Sequence, residues 1–374
     1  MLRQFYVVGQ PGLEEEMQQE ILEVWPYLLE TDARPNSTPP IFLQQETGGW
    51  LIEAPLILGL QLNYFLRVAS RVLLRLDEFK VRDFSKLNDR LRKIPLESYF
   101  SKQDFRVEVA ASKSRLNNEK RILEVATKAW PKIQDDATAA LMIRMYDDIC
   151  TISVDTTGVH LHRRDPMDSD KWIGEAPIRE TLAAFCLRCL GSDPEATLWD
   201  PMAGSGTFLK EAALQRQGNF QRSYSFQKFA MTPKLLKLAA LEKNYPEFSA
   251  PFQSYWASDN DEKMLSVLKK NLSELPQKKL FRQDIFTMST PGELPRKLWL
   301  VTNPPYGERL EFKEGFSQLG ATLGKIPAER LGVILPKGRH GEFFKGLNSA
   351  REWKLLRQNF FKNGGIPVEF SVFQ

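Results

Sequence analysis

The residues best suited to chemistry are Asn303, Pro304, Pro305 and Tyr306, which follow an apolar run at 298–302. A buried strand that reaches this tetrad must end there, because a proline cannot donate a hydrogen bond to a sheet. The Asn303 side chain and the Pro304 carbonyl supply two hydrogen-bond acceptors, and Tyr306 supplies a flat ring. Two acceptors beside a stacking surface suit the exocyclic amino group of a base removed from its stack. An ordinary strand-ending turn is the alternative interpretation, and the preceding sequence must decide between the two.

A glycine-rich loop precedes the tetrad in the chain and directly follows a predicted strand. Its candidate ligand-binding residues are Asp200, Ala203, Gly204, Ser205, Gly206 and Thr207. Glycines let a backbone pass close to a ligand, and the N-terminus of the predicted helix after the loop offers N–H groups to a carboxylate. The loop lacks the third glycine of the dinucleotide fingerprint and the lysine of a phosphate loop, which disfavours NAD and ATP.

Polar residues at the ends of the next two predicted strands extend this candidate site. Asp259, followed by Asn260, ends the second strand, where a carboxylate can bind ribose hydroxyls. Asp284 and Ile285 end the third strand and combine a polar with an apolar group, as an adenine pocket requires. Strands and helices alternate throughout this half of the chain. The alternation predicts an α/β doubly wound sheet with ligands at the carboxyl ends of its strands.

The N-terminal half is predicted to be a binding module of mixed α+β structure. A strand, a helix and further strand residues occupy positions 1 to about 48, and an apolar stripe from Leu58 to Val72 predicts a helix. A later strand leads into a junction that contains Lys113 and Arg115. Such a cationic strand-to-helix junction can bind phosphate, although a solvated helix start explains it equally well.

Composition and charge narrow the class of protein. The chain has 374 residues, of which 42% are hydrophobic and 26% charged, as in soluble globular proteins. No apolar run approaches the length of a membrane span and the N-terminus does not resemble a signal peptide, so a cytoplasmic location is expected. The 51 Lys and Arg residues against 47 Asp and Glu residues are compatible with an RNA partner without being diagnostic of one.

The cysteines and histidines do not indicate a metal site. Cys186 and Cys189 have the spacing of half a zinc site, but no second pair exists and the surrounding residues predict a buried helix. His160 and His162 alternate as in a strand, with both side chains on one solvated face. His340 is far away in the sequence, so no bound metal is expected.

The order of these features resembles that of class I methyltransferases that use S-adenosyl-L-methionine and modify exocyclic amino groups. More narrowly, the whole chain resembles the THUMP-domain RNA methyltransferases. This group includes the bacterial 23S rRNA guanine-N2 methyltransferase and archaeal tRNA guanine-N2 methyltransferases. The matching stretches are residues 67–71, 161–164, 176–183, 200–207, 258–261, 303–310 and 363–365.

The resemblance implies a Rossmann-like class I methyltransferase domain at 164–374. Before it would come an α+β THUMP RNA-binding domain at 49–163 and a ferredoxin-like N-terminal piece at 1–48. The methionine end of the cofactor would lie at the glycine loop, its ribose at Asp259 and its adenine near Asp284. The resemblance favours rRNA over tRNA as the partner and leaves the oligomeric state open.

Some features depart from the pattern of the group. Ala203 stands where the bacterial enzymes often have Cys. The linker from Asp165 to Glu175 is a few residues longer than in the group. An insertion at 218–251 fits the group, whereas the second methyltransferase fused to some bacterial members is not expected here. These departures leave the chemistry unchanged and the target nucleotide open.

The implied reaction is direct displacement at the sulfonium methyl group. Asn303 and Pro304 would accept the two hydrogens of the guanine amino group while Tyr306 stacks on the flipped base, and no dedicated base would be needed. Methylation of adenine or cytosine in DNA, and of glutamine in a protein, are rivals that share the tetrad. The resemblance of the N-terminal half to an RNA-binding module disfavours both. A non-catalytic RNA-binding protein should have lost the glycine loop or the tetrad, and both are intact.

Overall fold

The computed structural model describes residues 2–29, 38–100, 104–130, 132–164, 178–215, 217–232, 249–287, 294–306 and 315–374. The chain divides into two units. The first contains Met1–Pro166 and Gly218–Pro246, and the second contains Met167–Gln217 and Glu247–Gln374. The predicted linker at Asp165 lies outside the described residues. No helix among the described residues is long and apolar enough to cross a membrane.

The first unit is built on a mixed seven-stranded sheet. Its strands are β1 (Leu2–Val8), β2 (Ile41–Glu46), β3 (Gly49–Pro55), β4 (Arg71–Lys80), β5 (Phe105–Ser112), β6 (Ala139–Tyr146) and β7 (Ile149–Asp155). Its helices are α1 (Glu14–Val24), α2 (Leu56–Phe65), α3 (Phe84–Leu91), α4 (Glu97–Phe100) and α5 (Glu119–Ala129). The strand order is β2-β3-β1-β4-β7-β6-β5, with β5 and β6 parallel. The sheet continues across residue 48, because β2 and β3 form a hairpin around it.

The predicted helix from Leu58 to Val72 is wrong beyond the end of α2, because the chain turns there and enters β4. The apolar stripe continued because the approach to the strand is buried as well. The buried carboxylate of Glu20 in α1 accepts hydrogen bonds from the backbone N–H groups of Arg67 and Val68, each at 3.0 Å. These bonds replace the partners that a helix would have supplied to the backbone.

The predicted strand at His160 and His162 is also wrong, since both residues lie in a turn. The two rings are 5.3 Å apart, and His160 Nε2 lies 3.0 Å from Nη2 of Arg71, which forms an ion pair with buried Asp155. Burial, with the positive charge of Arg71, lowers the pKa of His160 to about 4. His160 is therefore neutral near pH 7. The alternating sequence of His160 and His162 belongs to a turn and not to a strand.

The second unit contains a seven-stranded sheet of the predicted doubly wound kind. Its strands are β8 (Asp193–Asp200), β9 (Phe252–Asp259), β10 (Lys278–Arg282), β11 (Leu298–Thr302), β12 (Arg330–Pro336), β13 (Leu355–Asn363) and β14 (Ile366–Phe373). Its helices are α6 (Glu180–Leu190), α7 (Thr207–Ala213), α8 (Glu262–Asn271), α9 (Gly315–Gly324) and α10 (His340–Leu347). The strand order is β10-β9-β8-β11-β12-β14-β13. The first five strands are parallel, and the order reverses between β8 and β11, where such sheets bind ligands.

Residues 218–232, predicted as part of an irregular insertion, pack within the first unit. The rings of Phe220 and Tyr224 each lie 5.0 Å from the ring of Tyr64 in α2. Arg222 donates to two backbone carbonyls at the end of the preceding first-unit segment, at 3.1 and 2.7 Å. The first unit is thus completed by residues that follow β8 and α7 of the second unit in the chain.

Helices α9 and α10, which follow the tetrad in the chain, approach each other closely through glycines. A Cβ atom added to Gly346 would lie 1.9 Å from the Ser317 carbonyl oxygen, and one added to Gly320 would lie 2.2 Å from the Phe343 carbonyl oxygen. Both helices cover the core cluster that includes Trp199 and Leu300. The close approach therefore supports the strands that carry the candidate site.

Two glycines of α10 provide a matched test of this packing. We expect Gly346→Ala to lower the free energy of unfolding by about 1–3 kcal/mol, because the new methyl group meets backbone atoms. A Cβ at Gly341 would meet no atom of the described residues within 4 Å. Gly341→Ala should therefore be neutral or stabilising by up to about 1 kcal/mol. Urea unfolding of both variants measures the difference, and equal stabilities would contradict the close approach of the helices.

Candidate functional site

The glycine loop and the tetrad lie at the same edge of the second sheet. β8 and β11 are parallel neighbours, with Trp199 opposite Leu300, and the two motifs begin just after these residues. Thr302, the last residue of β11, lies beside the Asp200 carboxyl group at the end of β8. The structure therefore brings together two motifs that the sequence separates widely.

The glycine loop is held by backbone hydrogen bonds. Ala203 N–H donates to the Ser258 carbonyl at 3.0 Å, and Gly206 N–H donates to the Ala203 carbonyl at 2.7 Å. Gly206 begins α7 with a φ of 82°, and a Cβ there would lie 3.0 Å from side chains of α8. A Cβ on Gly204, in contrast, would meet nothing within 4 Å among the described residues. The loop is thus packed on one side and open at Gly204, as a ligand cradle requires.

Two hydroxyl side chains lie at the end of the loop. Ser205 Oγ and Thr207 Oγ1 are buried and 3.2 Å apart, and the Asn271 side chain donates to the Ser205 carbonyl at 3.0 Å. The N-terminus of α7 and these hydroxyl groups together supply polar contacts at the predicted position of a carboxylate.

Asp259 connects the glycine loop to the end of β9. Its Oδ2 accepts a hydrogen bond from Gly204 N–H at 2.9 Å, and its Oδ1 accepts one from Asp261 N–H at 3.0 Å. Each carboxylate oxygen can accept a second bond, so the group remains able to bind ribose hydroxyls. Asn260 beside it is exposed, and its carbonyl accepts from Arg282 Nε at 3.1 Å.

The two residues predicted to lie near the adenine differ in their exposure to solvent. Asp284 is partly exposed, and its Oδ1 accepts a hydrogen bond from Phe286 N–H at 2.9 Å. Ile285 is only 3% exposed and belongs to the core cluster. Asp284 is therefore the accessible member of this pair.

Asp200 is a buried acid beneath the loop. Its side chain is 2% exposed, and Oδ1 accepts a hydrogen bond from Met202 N–H at 3.2 Å. Burial, reinforced by the negative charge of Asp259, raises the pKa of Asp200 to about 8. Asp200 therefore carries its proton over much of the neutral range.

The Asn303 side chain presents a buried acceptor. Its Oδ1 is inaccessible to water and has no hydrogen-bond partner among the residues that the structure describes. An amide oxygen left in this state costs about 1–3 kcal/mol, and a ligand that donates a hydrogen bond to it would remove that cost. Pro304 is buried beside it, whereas Pro305 is partly exposed.

Tyr306 is half-buried, and its ring packs against the core cluster. Its hydroxyl group accepts a hydrogen bond from Asn363 Nδ2 at 2.7 Å, and burial raises the pKa of Tyr306 to about 12. The sequence alone did not assign Asn363 to the site. Its only signal was the matching stretch at 363–365.

The predicted RNA-binding residues lie on the first unit. Lys113 and Arg115 are exposed, and Lys113 Nζ lies 3.1 Å from Tyr146 Oη and 5.3 Å from the centre of that ring. Tyr146 is 43% exposed, and the Arg144 guanidinium carbon lies 5.7 Å from its ring centre. Tyr146 was not predicted to belong to this surface, although it ends a predicted strand just before an Asp-Asp turn.

No cluster of His, Cys, Asp or Glu side chains suited to a metal ion occurs in the described parts of the chain. Cys186 lies in α6 and is buried, as predicted, and Cys189 on the same helix is partly buried. Desolvation raises the pKa of the Cys186 thiol well above its usual value, which keeps it protonated.

Comparisons with known proteins place the second unit in a functional class. Residues 171–334 match the family described as UPF0020, RMKL-like, methyltransferase domain. The chain is 29% identical over 343 residues to the ribosomal RNA large subunit methyltransferase K/L of Psychromonas ingrahamii. That match covers 81% of this chain and 45% of the relative, so the chain spans about half of that protein's length.

Two further proteins are similar along most of their own length. The putative RNA methyltransferase YpsC of Bacillus subtilis is 29% identical over 355 residues, which are 88% of each chain. The crystal structure of SMU.472, a putative methyltransferase complexed with SAH, superposes with a TM-score of 0.78 at 22% identity. The superposition covers 99% of this chain and 97% of that one. The fold is that of the class I methyltransferases, residues 171–334 are similar to the RMKL-like methyltransferase domain, and the cofactor is S-adenosyl-L-methionine.

Proposed function

We propose that this chain methylates RNA, with the exocyclic N2 amino group of a guanine as the acceptor and 23S rRNA as the favoured substrate. The observation that carries the proposal is the buried Asn303 Oδ1, which lacks a partner among the described residues. An exocyclic amino group supplies the donor that this oxygen lacks. The names of the K/L relatives and of YpsC support RNA as the substrate class.

The residues around the glycine loop fit the cofactor. The open side of Gly204 leaves room for it, and the hydroxyl groups of Ser205 and Thr207 with the start of α7 would hold its methionine end. Asp259 would hold the ribose through its remaining lone pairs, and Asp284 would contact the adenine. When bound, the cofactor supplies a methyl group on a positively charged sulfur.

The tetrad would orient the acceptor. The lone pair of a guanine amino group is delocalised into the ring, so the nitrogen is a weak nucleophile while it is planar. Acceptance of its two hydrogens by Asn303 Oδ1 and the Pro304 carbonyl favours a pyramidal nitrogen aimed at the methyl carbon. Tyr306 would stack on the flipped base. The proton becomes acidic only after transfer, so the rate comes from positioning more than from a strong base.

The first unit would deliver the RNA. We propose that residues 49–163 form a THUMP domain, with residues 1–48 as a ferredoxin-like piece. Tyr146, close to the cations of Lys113 and Arg144, offers a base a stacking surface. Lys113 offers a phosphate a positive charge, whereas Arg144 forms an ion pair with Glu46 at 2.9 Å. An aromatic ring beside cations favours RNA as the substrate, because methylation of a glutamine in a protein would not need such a surface.

The Asn303 acceptor can be tested directly. We expect Asn303→Ala to slow single-turnover methyl transfer to total RNA by about 100- to 1,000-fold, as for removal of one preorganised transition-state hydrogen bond. Asn303→Asp keeps an acceptor oxygen and should retain more activity than Asn303→Ala. Cofactor affinity, measured by equilibrium dialysis, should change little in either variant.

The control for this test is a thermal melt of each variant beside its turnover. If Asn303→Ala folds and methylates normally, the acceptor role is wrong. Mass spectrometry of the digested RNA identifies the product. Methyladenosine, or transfer to DNA alone, would overturn the guanine-N2 assignment, and labelled tRNA without labelled rRNA would replace the favoured substrate.

The RNA surface predicts a salt effect. Lys113→Ala combined with Arg115→Ala should weaken RNA binding and lower the slope of log affinity against log salt by about 1 for each phosphate that is no longer neutralised. Lys128→Ala removes an equally exposed charge from α5 and serves as the control. Filter binding at several salt concentrations distinguishes them, and equal slopes for all three proteins would refute this surface.

Asp200 predicts a pH dependence of stability. An unfolded aspartate ionises near pH 4, whereas folded Asp200 keeps its proton up to about pH 8, so the fold loses stability as the pH rises between these values. The loss from this group reaches about 1.4 kcal/mol per pH unit. Asp200→Asn cannot ionise and should show a shallower decline in urea unfolding between about pH 5 and about pH 7.5. Parallel curves for the two proteins would contradict the buried acid.

A further inference from the structure

The hairpin between β13 and β14 reaches the candidate site. β14 runs antiparallel to β12, with Val368 opposite Pro336 at the end of that strand. β14 therefore begins at the edge where the parallel strands end and where the tetrad lies. The hairpin turn stands at this edge and carries the stretch Asn363-Gly364-Gly365, to which the sequence analysis gave no role.

The turn holds Asn363 in a defined position. Asn363 pairs with Ile366 as the last pair of the hairpin, which leaves Gly364 and Gly365 as a two-residue loop. Their φ angles are 57° and 90°, in the left-handed region that favours glycine and that the tight primed hairpin turns require. Added Cβ atoms would meet nothing within 4 Å in the part of the chain that the structure describes, and the backbone conformation accounts for these glycines.

The hydrogen bond with Tyr306 joins this turn to the tetrad. Asn363 Nδ2 donates to Tyr306 Oη at 2.7 Å across 57 positions of sequence. The two prolines before Tyr306 fix the φ angles of the backbone that leads to it, and the torsions of the Tyr306 side chain then set where its ring lies. A hydrogen bond to Oη restricts χ1 and so the direction in which the ring points, while the packing of the ring against the core cluster restricts its rotation about χ2.

We propose that Asn363 is a positioning residue that fixes the Tyr306 ring in the orientation that stacks on the acceptor base. This inference rests on the proposed function, in which Tyr306 receives the flipped base. Asn363 acts only through the phenol hydroxyl group and touches neither the cofactor nor the base. Since burial keeps that hydroxyl group protonated, it can also donate to an acceptor placed at position 363.

A double-mutant cycle on the full-length protein tests the proposal. Asn363→Ala removes the donor, and Tyr306→Phe removes its acceptor while keeping the ring. Each single variant should lower the single-turnover rate at saturating RNA by about three- to tenfold, and the double variant should be no slower than the slower single variant. Asn363→Asp, which can accept from the tyrosine hydroxyl, should recover much of the rate.

Asn359→Ala is the matched control, because Asn359 lies on the same strand and its side chain bonds only Arg357 among the contacts that the structure describes, at 3.0 Å. It should keep the wild-type rate, and all variants should keep wild-type cofactor affinity. A folded Asn363→Ala enzyme with the wild-type rate, or rate reductions that multiply in the double variant, would overturn the positioning role. Failure of the proposed function has a different signature, a normal rate in Asn303→Ala.

Discussion

The parallel pairing of β8 with β11 is the constraint on which the site depends. In a doubly wound sheet the carboxyl ends of parallel strands share one edge, and neighbouring strands at the switch point leave a crevice between their loops. Trp199 and Leu300, buried opposite each other, set the register. A slip of one residue would turn Asp200 and Asn303 toward the wrong faces of the sheet. The glycine loop and the tetrad are therefore neighbours because of the core packing beneath them.

The electrostatics of the crevice follow from the same geometry. Two acids, Asp200 and Asp259, end neighbouring strands, and two negative charges so close would repel each other. The buried one retains its proton, and the partly exposed one is satisfied by backbone N–H groups of the loop and of the α8 start. The glycine loop and the ends of β8 and β9 thus hold two acids, which suits a cationic cofactor, without placing two uncompensated negative charges side by side.

Local patterns predicted the second sheet well. Short apolar strands, a glycine loop and the proline tetrad each have a local physical cause. The predicted strand at 298–302 was confirmed, and so was the Asp-Asp turn after β6 in the first sheet. The helix from Leu58 to Val72 was wrong because an apolar stripe reports burial and cannot report that the Glu20 carboxylate, far away in sequence, satisfies the backbone of a turn. Asn363 and Tyr146 were missed for the same reason. Asn363 contacts Tyr306 and Tyr146 contacts Lys113, and only the tertiary structure brings these pairs together.

The placement of residues 218–232 has a consequence for synthesis on the ribosome. Domains usually fold in the order in which they are synthesised, and synthesis adds about 5–20 residues per second. In this chain the ring of Tyr64 packs against Phe220 and Tyr224, which are synthesised only after β8 and α7 of the other unit. The nascent first unit therefore exposes apolar side chains while the second has already begun. A fragment that stops at residue 164 would lack Phe220 and Tyr224 and would leave the ring of Tyr64 without these two contacts.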